Sequence, residues 1–295
     1  MRRVPYEAEA HLDWLALTDA LAEGHALPEA ELGDTFLHRG RDVMLTRSAW
    51  IDGMGMLVKT ATVFPDREVS INGAVTVFSD ADGTLEALVD FHLLTKWKTA
   101  GDSLLAARRL ARPDAADVLI VGAGTQGRAL REAYGALYPR AAFHVWSPSG
   151  TSAARLAGEY ENTVQETDLE AAVRAADIVT CATLSSEPVV KGRWLRPGTH
   201  LDLIGAFTAG MRETDDAGIT AGRLFVDSRR TTVGHIGEVQ IPLDAGVIGE
   251  GDIVADYYEL DRFERRSAEE ITVFKNGGGA HLDLMTARYV LGAMG

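Results

Sequence analysis

Residues 117–127 read Asp117-Val118-Leu119-Ile120-Val121-Gly122-Ala123-Gly124-Thr125-Gln126-Gly127, an apolar run of strand length that breaks directly into G-x-G-x-x-G. An uninterrupted apolar run of that length suits a strand buried on both faces of a parallel sheet. Beyond the glycines, Ala129, Leu130, Ala133 and Leu137 mark a helix, and Ala142-Phe143-His144-Val145-Trp146 supplies a second strand. A glycine triplet alone says little. Between a strand and a helix, inside a βαβ unit, it is a dinucleotide-binding fingerprint. Gly122 allows the tight turn, Gly124 lets a pyrophosphate approach the backbone, and Gly127 lets helix and strand pack together. Thr125 and Gln126 open the helix, whose free N–H groups bind phosphate. Gly122, Gly124, Thr125, Gln126 and Gly127 are therefore candidate cofactor ligands of a Rossmann domain.

The ribose-reading residue belongs at the end of the second strand, roughly 20 positions past the motif. The segment there is Trp146-Ser147-Pro148-Ser149-Gly150-Thr151-Ser152, with no Asp or Glu to accept from a ribose 2′-hydroxyl. Its hydroxyls, with Arg155 nearby, suit a 2′-phosphate better. Ser147, Ser149 and Arg155 are candidate cofactor residues on that ground, and the expected cofactor is NADP(H), with NAD(H) as the alternative. The same serines and threonines also suit a helix N-cap.

Strands at Asp177–Ala182, Thr199–Ala206 and Leu224–Asp227, with a helix over Leu169–Ala176, continue the βα alternation and the parallel sheet it implies. The first hundred residues differ. Residues 7–23 read as a helix, and Asp42–Arg47 and Met56–Phe64 as strands. Val75–Ser79 and Leu85–Asp90 form a hairpin across Asp80-Ala81-Asp82-Gly83, whose chemistry is that of a turn. Leu93–Leu110 reads as a helix that ends at Arg112-Pro113-Asp114. A glycine-rich stretch, Phe274–Ala280, precedes a helical tail that returns the chain to the first domain. The expected fold class is α/β, a Rossmann dinucleotide-binding domain (114–278) inserted in an α+β domain (1–113 plus 279–295).

Composition narrows the partners. The 295 residues carry a formal net charge of -14, which speaks against sequence-independent binding of nucleic acid or anionic membrane. No window approaches the length of a membrane span, and the N-terminal residues lack the apolar stretch of a signal peptide. The one cysteine, Cys181, lies in an apolar run and reads as a buried thiol, so no intrachain disulfide forms. A cytoplasmic protein is expected. The 8 histidines show no metal-ligand spacing, and no metal is expected.

Several further blocks, in order, resemble the ornithine cyclodeaminase/μ-crystallin family over nearly the whole chain. They are Val58-Lys59-Thr60 near Phe64-Pro65, and Leu94-Thr95-Lys96-Trp97-Lys98-Thr99-Ala100. After the glycine motif come Asp177–Thr183 with Glu187-Pro188, Pro197-Gly198-Thr199-His200, Ile204-Gly205-Ala206 before Met211-Arg212-Glu213, and Ile271–Lys275 followed by Gly278, Ala280 and Asp283. The resemblance implies that residues 1–113 plus 279–295 form a substrate and dimerisation domain, in a homodimeric enzyme acting on amino acids or their imines with a nicotinamide cofactor. It implies Lys59 at the substrate, where an ammonium can pair with a carboxylate or handle a proton. Lys98 stands where many members place an arginine for the substrate carboxylate, which keeps the charge and gives up the bidentate fork. Arg39 is the candidate for a second carboxylate-binding base, with Arg47 competing for the role. Thr99 joins the substrate residues and Thr183 the cofactor residues.

Two departures bear on function. Cyclodeaminases carry an acid in the loop Ile204-Gly205-Ala206-Phe207, and here Phe207 fills that place. The usual Pro-x-Asn after the lysine strand becomes Pro65-Asp66-Arg67. The expected activity is therefore NAD(P)H-dependent reduction of a small cyclic imine carboxylate of the Δ1-pyrroline-2-carboxylate kind. Ornithine cyclodeamination or amino-acid dehydrogenation is the alternative, and non-catalytic NADPH-dependent binding, as in the crystallin members, is a second.

Overall fold

The structure, a computed structural model, describes residues 1–67 and 69–295. The chain divides into two compact units, Met1–Lys98 with Gly279–Gly295, and Thr99–Gly278. The first change of unit falls inside a long helix rather than after it.

Unit 1 holds β1 (Arg2–Val4), β2 (Glu31–Arg39), β3 (Asp42–Ile51), β4 (Gly55–Val63), β5 (Ile71–Phe78) and β6 (Leu85–Val89) in one sheet, ordered β1-β6-β5-β4-β3-β2. Only β1 runs parallel to its neighbour; the rest form an antiparallel meander. The hairpin read at Asp80–Gly83 is present: Gly83 takes φ 70°, and Thr84 donates its backbone N–H to Asp82 at 3.1 Å. The helix read over 7–23 is two elements. A 3₁₀ turn spans Tyr6–His11, and α1 (Trp14–His25) starts only after Asp13, whose carboxylate accepts from the Ala16 N–H at 2.8 Å. An extended Asp at that position caps a new helix and so divides the old pattern. Strand β2 carries no strand signal in the sequence. Its residues Glu31-Leu32-Gly33-Asp34-Thr35-Phe36-Leu37-His38-Arg39 are almost all exposed, so no buried face imposes an alternation.

Helix α2 (Phe91–Leu110) starts where Asp90 accepts from the Leu93 N–H at 2.9 Å. Within unit 1, Trp97 stacks on Trp14 at 3.8 Å between ring centroids, and its indole N–H donates to Glu9 at 2.9 Å.

Unit 2 is an eight-stranded, wholly parallel sheet made of β7 (Asp117–Val121), β8 (Ala142–Trp146), β9 (Thr163–Gln165), β10 (Ile178–Cys181), β11 (His200–Leu203), β12 (Arg223–Val226), β13 (Ile253–Ala255) and β14 (Thr272–Lys275). The order is β13-β12-β14-β11-β10-β7-β8-β9. From β7 the chain winds outward through β8 and β9, then crosses back to β10 on the other side. Such a reversal opens a crevice at the carboxyl ends of the two central strands, where α/β sheets take ligands. Helices α3 (Thr125–Leu137), α4 (Thr151–Ala157), α5 (Leu169–Ala175), α6 (Asp216–Ile219), α7 (Arg229–Thr232) and α8 (Gly237–Asp244) belong to the same unit. Val118–Val121, Ile178, Val179, Cys181, Leu201 and Leu203 are all fully buried, as strands covered on both faces require. Burial pushes the Cys181 thiol well above its ordinary range, so it stays protonated and inert. β14 leads directly into the glycine-rich stretch.

The chain returns to unit 1 with α9 (Ala280–Ala293), which packs on β3, β4 and α1. No helix among the described residues is long and apolar enough to cross a membrane.

Candidate active site

In unit 1 the antiparallel register decides which basic residues meet. Lys59 on β4 lies opposite Arg47 on β3 and Val75 on β5. Its ammonium is buried and donates to Asp283 Oδ1 at 2.8 Å, with the Phe91 ring 5.1 Å from Nζ. Burial pushes the Lys59 ammonium below the usual lysine range. Asp283 opposes that shift, and the positive charges of Lys98 and Arg47 add to it. Lys98, on the last turn of α2 that belongs to unit 1, is likewise buried. Arg47 pairs with Asp34 at 3.1 Å and is about one third exposed.

Arg39 is not brought to this cluster, which corrects the expectation for it. It ends β2, pairs with Asp42 at 2.8 Å, and its side chain is 79% exposed. Along β2 it lies five positions from Asp34, the partner of Arg47. At about 3.4 Å per residue that is roughly 17 Å. Arg47, the competing candidate, lies opposite Lys59 in the register. Thr99 begins the unit 2 part of α2; it is half-buried, and its carbonyl accepts from Asn276 at 3.0 Å. The family blocks include Asp283 without implying a role for it. The signal was present: one acid inside the apolar run Leu282-Asp283-Leu284-Met285 needs a buried partner. Its partner is 224 residues away, and no local pattern reports that.

In unit 2 the glycine motif has the geometry that a dinucleotide requires. Gly122 takes φ 112°, a region L side chains avoid, and a Cβ there would overlap the Ala182 carbonyl. A Cβ on Gly127 would overlap the Gly122 carbonyl, so helix and strand touch through backbone. At Gly124 the opposite holds: the space a Cβ would enter is open. Thr125 is the first residue of α3, Gln126 follows, and neither is buried. This open cradle, beside free helical N–H groups, fits a pyrophosphate. At the end of β8, Ser147 accepts from the Ala153 N–H at 3.1 Å, in the first turn of α4, whose N-cap is Gly150. Ser149 and Arg155 are exposed.

Thr183 follows β10. Its N–H and hydroxyl both donate to Glu213 Oε1, at 2.7 and 2.8 Å. Phe207, in the loop after β11, is 61% exposed and brings no carboxylate there.

Comparison with known proteins covers both units. The family model described as "Ornithine cyclodeaminase/mu-crystallin family" matches residues 40–294. A Delta(1)-pyrroline-2-carboxylate reductase of Paracoccus denitrificans is 47% identical over 98% of this chain and 95% of its own. Ketimine reductase mu-crystallin of Mus musculus is 30% identical over 78% of this chain and 70% of its own. The solved structure of Thermococcus litoralis Delta(1)-pyrroline-2-carboxylate reductase in complex with NADH and L-proline shares the fold, with a TM-score of 0.90 at 24% identity, covering 99% of this chain and 97% of that one. A lysine strand, a glycine cradle and a family match that runs through both place the chain in the ornithine cyclodeaminase/mu-crystallin family.

Proposed function

We propose that the protein is a nicotinamide-dependent reductase of a small cyclic imine carboxylate, Δ1-pyrroline-2-carboxylate or a close ketimine, forming the L-amino acid. The observation that carries this reading is the charge balance around Lys59. The charges of Lys98 and Arg47 both act on Lys59 there, while Asp283 pairs with Lys59 and Asp34 with Arg47. Among the described residues these three bases are matched by two acids, and a substrate carboxylate supplies a further negative charge. Lys98 and Arg47 hold that carboxylate. Lys59 faces the imine nitrogen and gives it a proton, and Asp283 orients the ammonium. Gly122, Gly124, Thr125, Gln126 and Gly127, with Thr183 beyond them, would hold a nicotinamide dinucleotide, which would supply the hydride. The relative from Paracoccus, named for this reduction, supports the substrate class. Phe207 withholds the acid that cyclodeamination needs. NADP(H) is favoured by the lack of a carboxylate over Trp146–Ser152 and by the exposed Ser149 and Arg155. The NADH complex of the Thermococcus relative is the observation on the side of NADH. A second copy of the chain fits the apolar Phe36 and Leu37 exposed on the edge strand β2, in keeping with a dimer.

The test is consumption of NADPH and of NADH with Δ1-pyrroline-2-carboxylate, beside ornithine assayed for ammonia and proline. Consumption with the imine and no ammonia from ornithine is expected; proline from ornithine without imine reduction sinks the reading. Arg47→Ala raises KM for the imine by about 10–100-fold, the loss of a charge-assisted contact, whereas Arg39→Ala leaves KM unchanged. An equal effect of both returns Arg39 to the site.

The alkaline limb of kcat/KM reports the Lys59 ammonium, because the proton donor is lost as pH rises through its pKa. Asp283→Asn removes the charge that holds this pKa up, so the limb moves to lower pH. Lys98→Gln removes a charge that pushes it down, so the limb moves to higher pH. Shifts in the same direction would assign the limb to another group.

A further inference from the structure

Glu213 is fully buried in unit 2, and nothing in the reduction described above uses it. Its two carboxylate oxygens face two different loops. Oε1 accepts from the Thr183 N–H at 2.7 Å and from the Thr183 hydroxyl at 2.8 Å, both in the loop after β10. Oε2 accepts from the Gly205 N–H at 2.6 Å, in the loop after β11. The two loops touch: a Cβ on Gly205 would overlap the Thr183 carbonyl and come within 2.5 Å of Glu213 Oε1. Behind it, Glu238 accepts from the backbone N–H groups of Glu213 and Thr214 at 2.7 and 3.0 Å, so the residue that does the holding is itself held. Burial and the neighbouring Glu238 raise the Glu213 pKa to about 8, with the charge of Lys275, whose ammonium donates to the Leu203 carbonyl at 2.9 Å, and the two Thr183 donors acting the other way.

These loops are where the ligand of such a sheet belongs. β10 and β11 are parallel neighbours, and β10 borders β7, whose end is the glycine turn. A Cβ on Gly122 would overlap the carbonyl of Ala182, next to Thr183. The glycine turn, the β10 loop and the β11 loop thus form one continuous edge at the switch point of the strand order, where dinucleotides bind. Leu184 and Phe207, exposed by 83% and 61%, stand on the two loops that Glu213 joins.

We infer that Glu213 is a positioning residue for the nicotinamide cofactor: one carboxylate staples the β10 loop to the β11 loop and so fixes the wall of the cofactor groove that faces the glycine turn. The inference rests on the dinucleotide reading of unit 2. Glutamine in its place keeps the size but turns one acceptor into a donor, which meets an N–H of Thr183 or Gly205 head to head. The staple then opens on one side.

The test is titration of NADPH and NADH into wild type, Glu213→Gln and Thr183→Val, followed by nucleotide fluorescence, with thermal unfolding measured in parallel. Glu213→Gln is expected to weaken dinucleotide binding about 10-fold or more, with Thr183→Val, which loses one of the three donors, about 3-fold. A melting temperature that falls while affinity stays at the wild-type value makes Glu213 a purely structural group and overturns the inference. If Glu213→Gln does not fold, Thr183→Val decides, and wild-type affinity there overturns it equally. Wild type that binds neither dinucleotide overturns the reading of unit 2 and the inference with it, and this differs from a failure of the staple alone.

Discussion

Replacing Lys59 by Met lowers imine turnover by about 10²–10⁴-fold, the range for loss of a positioned proton donor, and leaves dinucleotide affinity unchanged. The substitution also has a cost in stability that must be separated from the catalytic loss. Asp283 is 1% exposed, and Lys59 is the ion-pair partner it has at 2.8 Å. A buried charge left without its partner costs about 3–5 kcal/mol. The double variant Lys59→Met with Asp283→Asn removes both charges together and recovers most of that stability, because the remaining amide and thioether are neutral. It does not recover turnover. Thermal unfolding and steady-state kinetics on the two variants check this. Recovery of activity along with stability would show that Lys59 only holds the sheet to α9, with no part in proton transfer.

The reading of the sequence succeeded where one local pattern has one structural solution. The apolar runs of β7 and β10 admit little but strands covered on both faces, and G-x-G-x-x-G between strand and helix leaves little choice of turn. Thus Gly122 and Gly127 stand in contacts that a side chain would break. It failed where the answer depends on pairing. Arg39 and Arg47 are both arginines on adjacent strands of one hairpin, and only the register, Arg47↔Lys59, tells which one meets the lysine. Register is set by turn geometry and by which face is buried, and β2 has almost no buried face to read. Asp283 and Glu213 went unassigned for the same reason. Each does its work through a contact with a distant segment, and the residue type alone says only that a buried acid has a partner.

Gly124→Ala and Gly127→Ala separate function from fold inside a single motif, and their expected effects are the largest in unit 2. Gly124 has extended backbone, φ -83°, with open space where the new methyl goes. Alanine is compatible there, and less freedom in the unfolded chain raises stability by about 0.4–1 kcal/mol. The methyl nevertheless occupies the space through which a pyrophosphate reaches the backbone. Affinity for NADPH is therefore expected to fall by about 10²-fold or more, with the melting temperature held or raised. Gly127→Ala behaves differently. Its methyl meets the Gly122 carbonyl, part of a turn with no flexible side chain to yield. Forced overpacking of this kind costs about 1–3 kcal/mol, so both stability and affinity drop. Calorimetric titration and thermal unfolding on the pair give the result. Wild-type affinity in Gly124→Ala would mean that the phosphates lie elsewhere, and the open space above that glycine would then be a property of the turn alone.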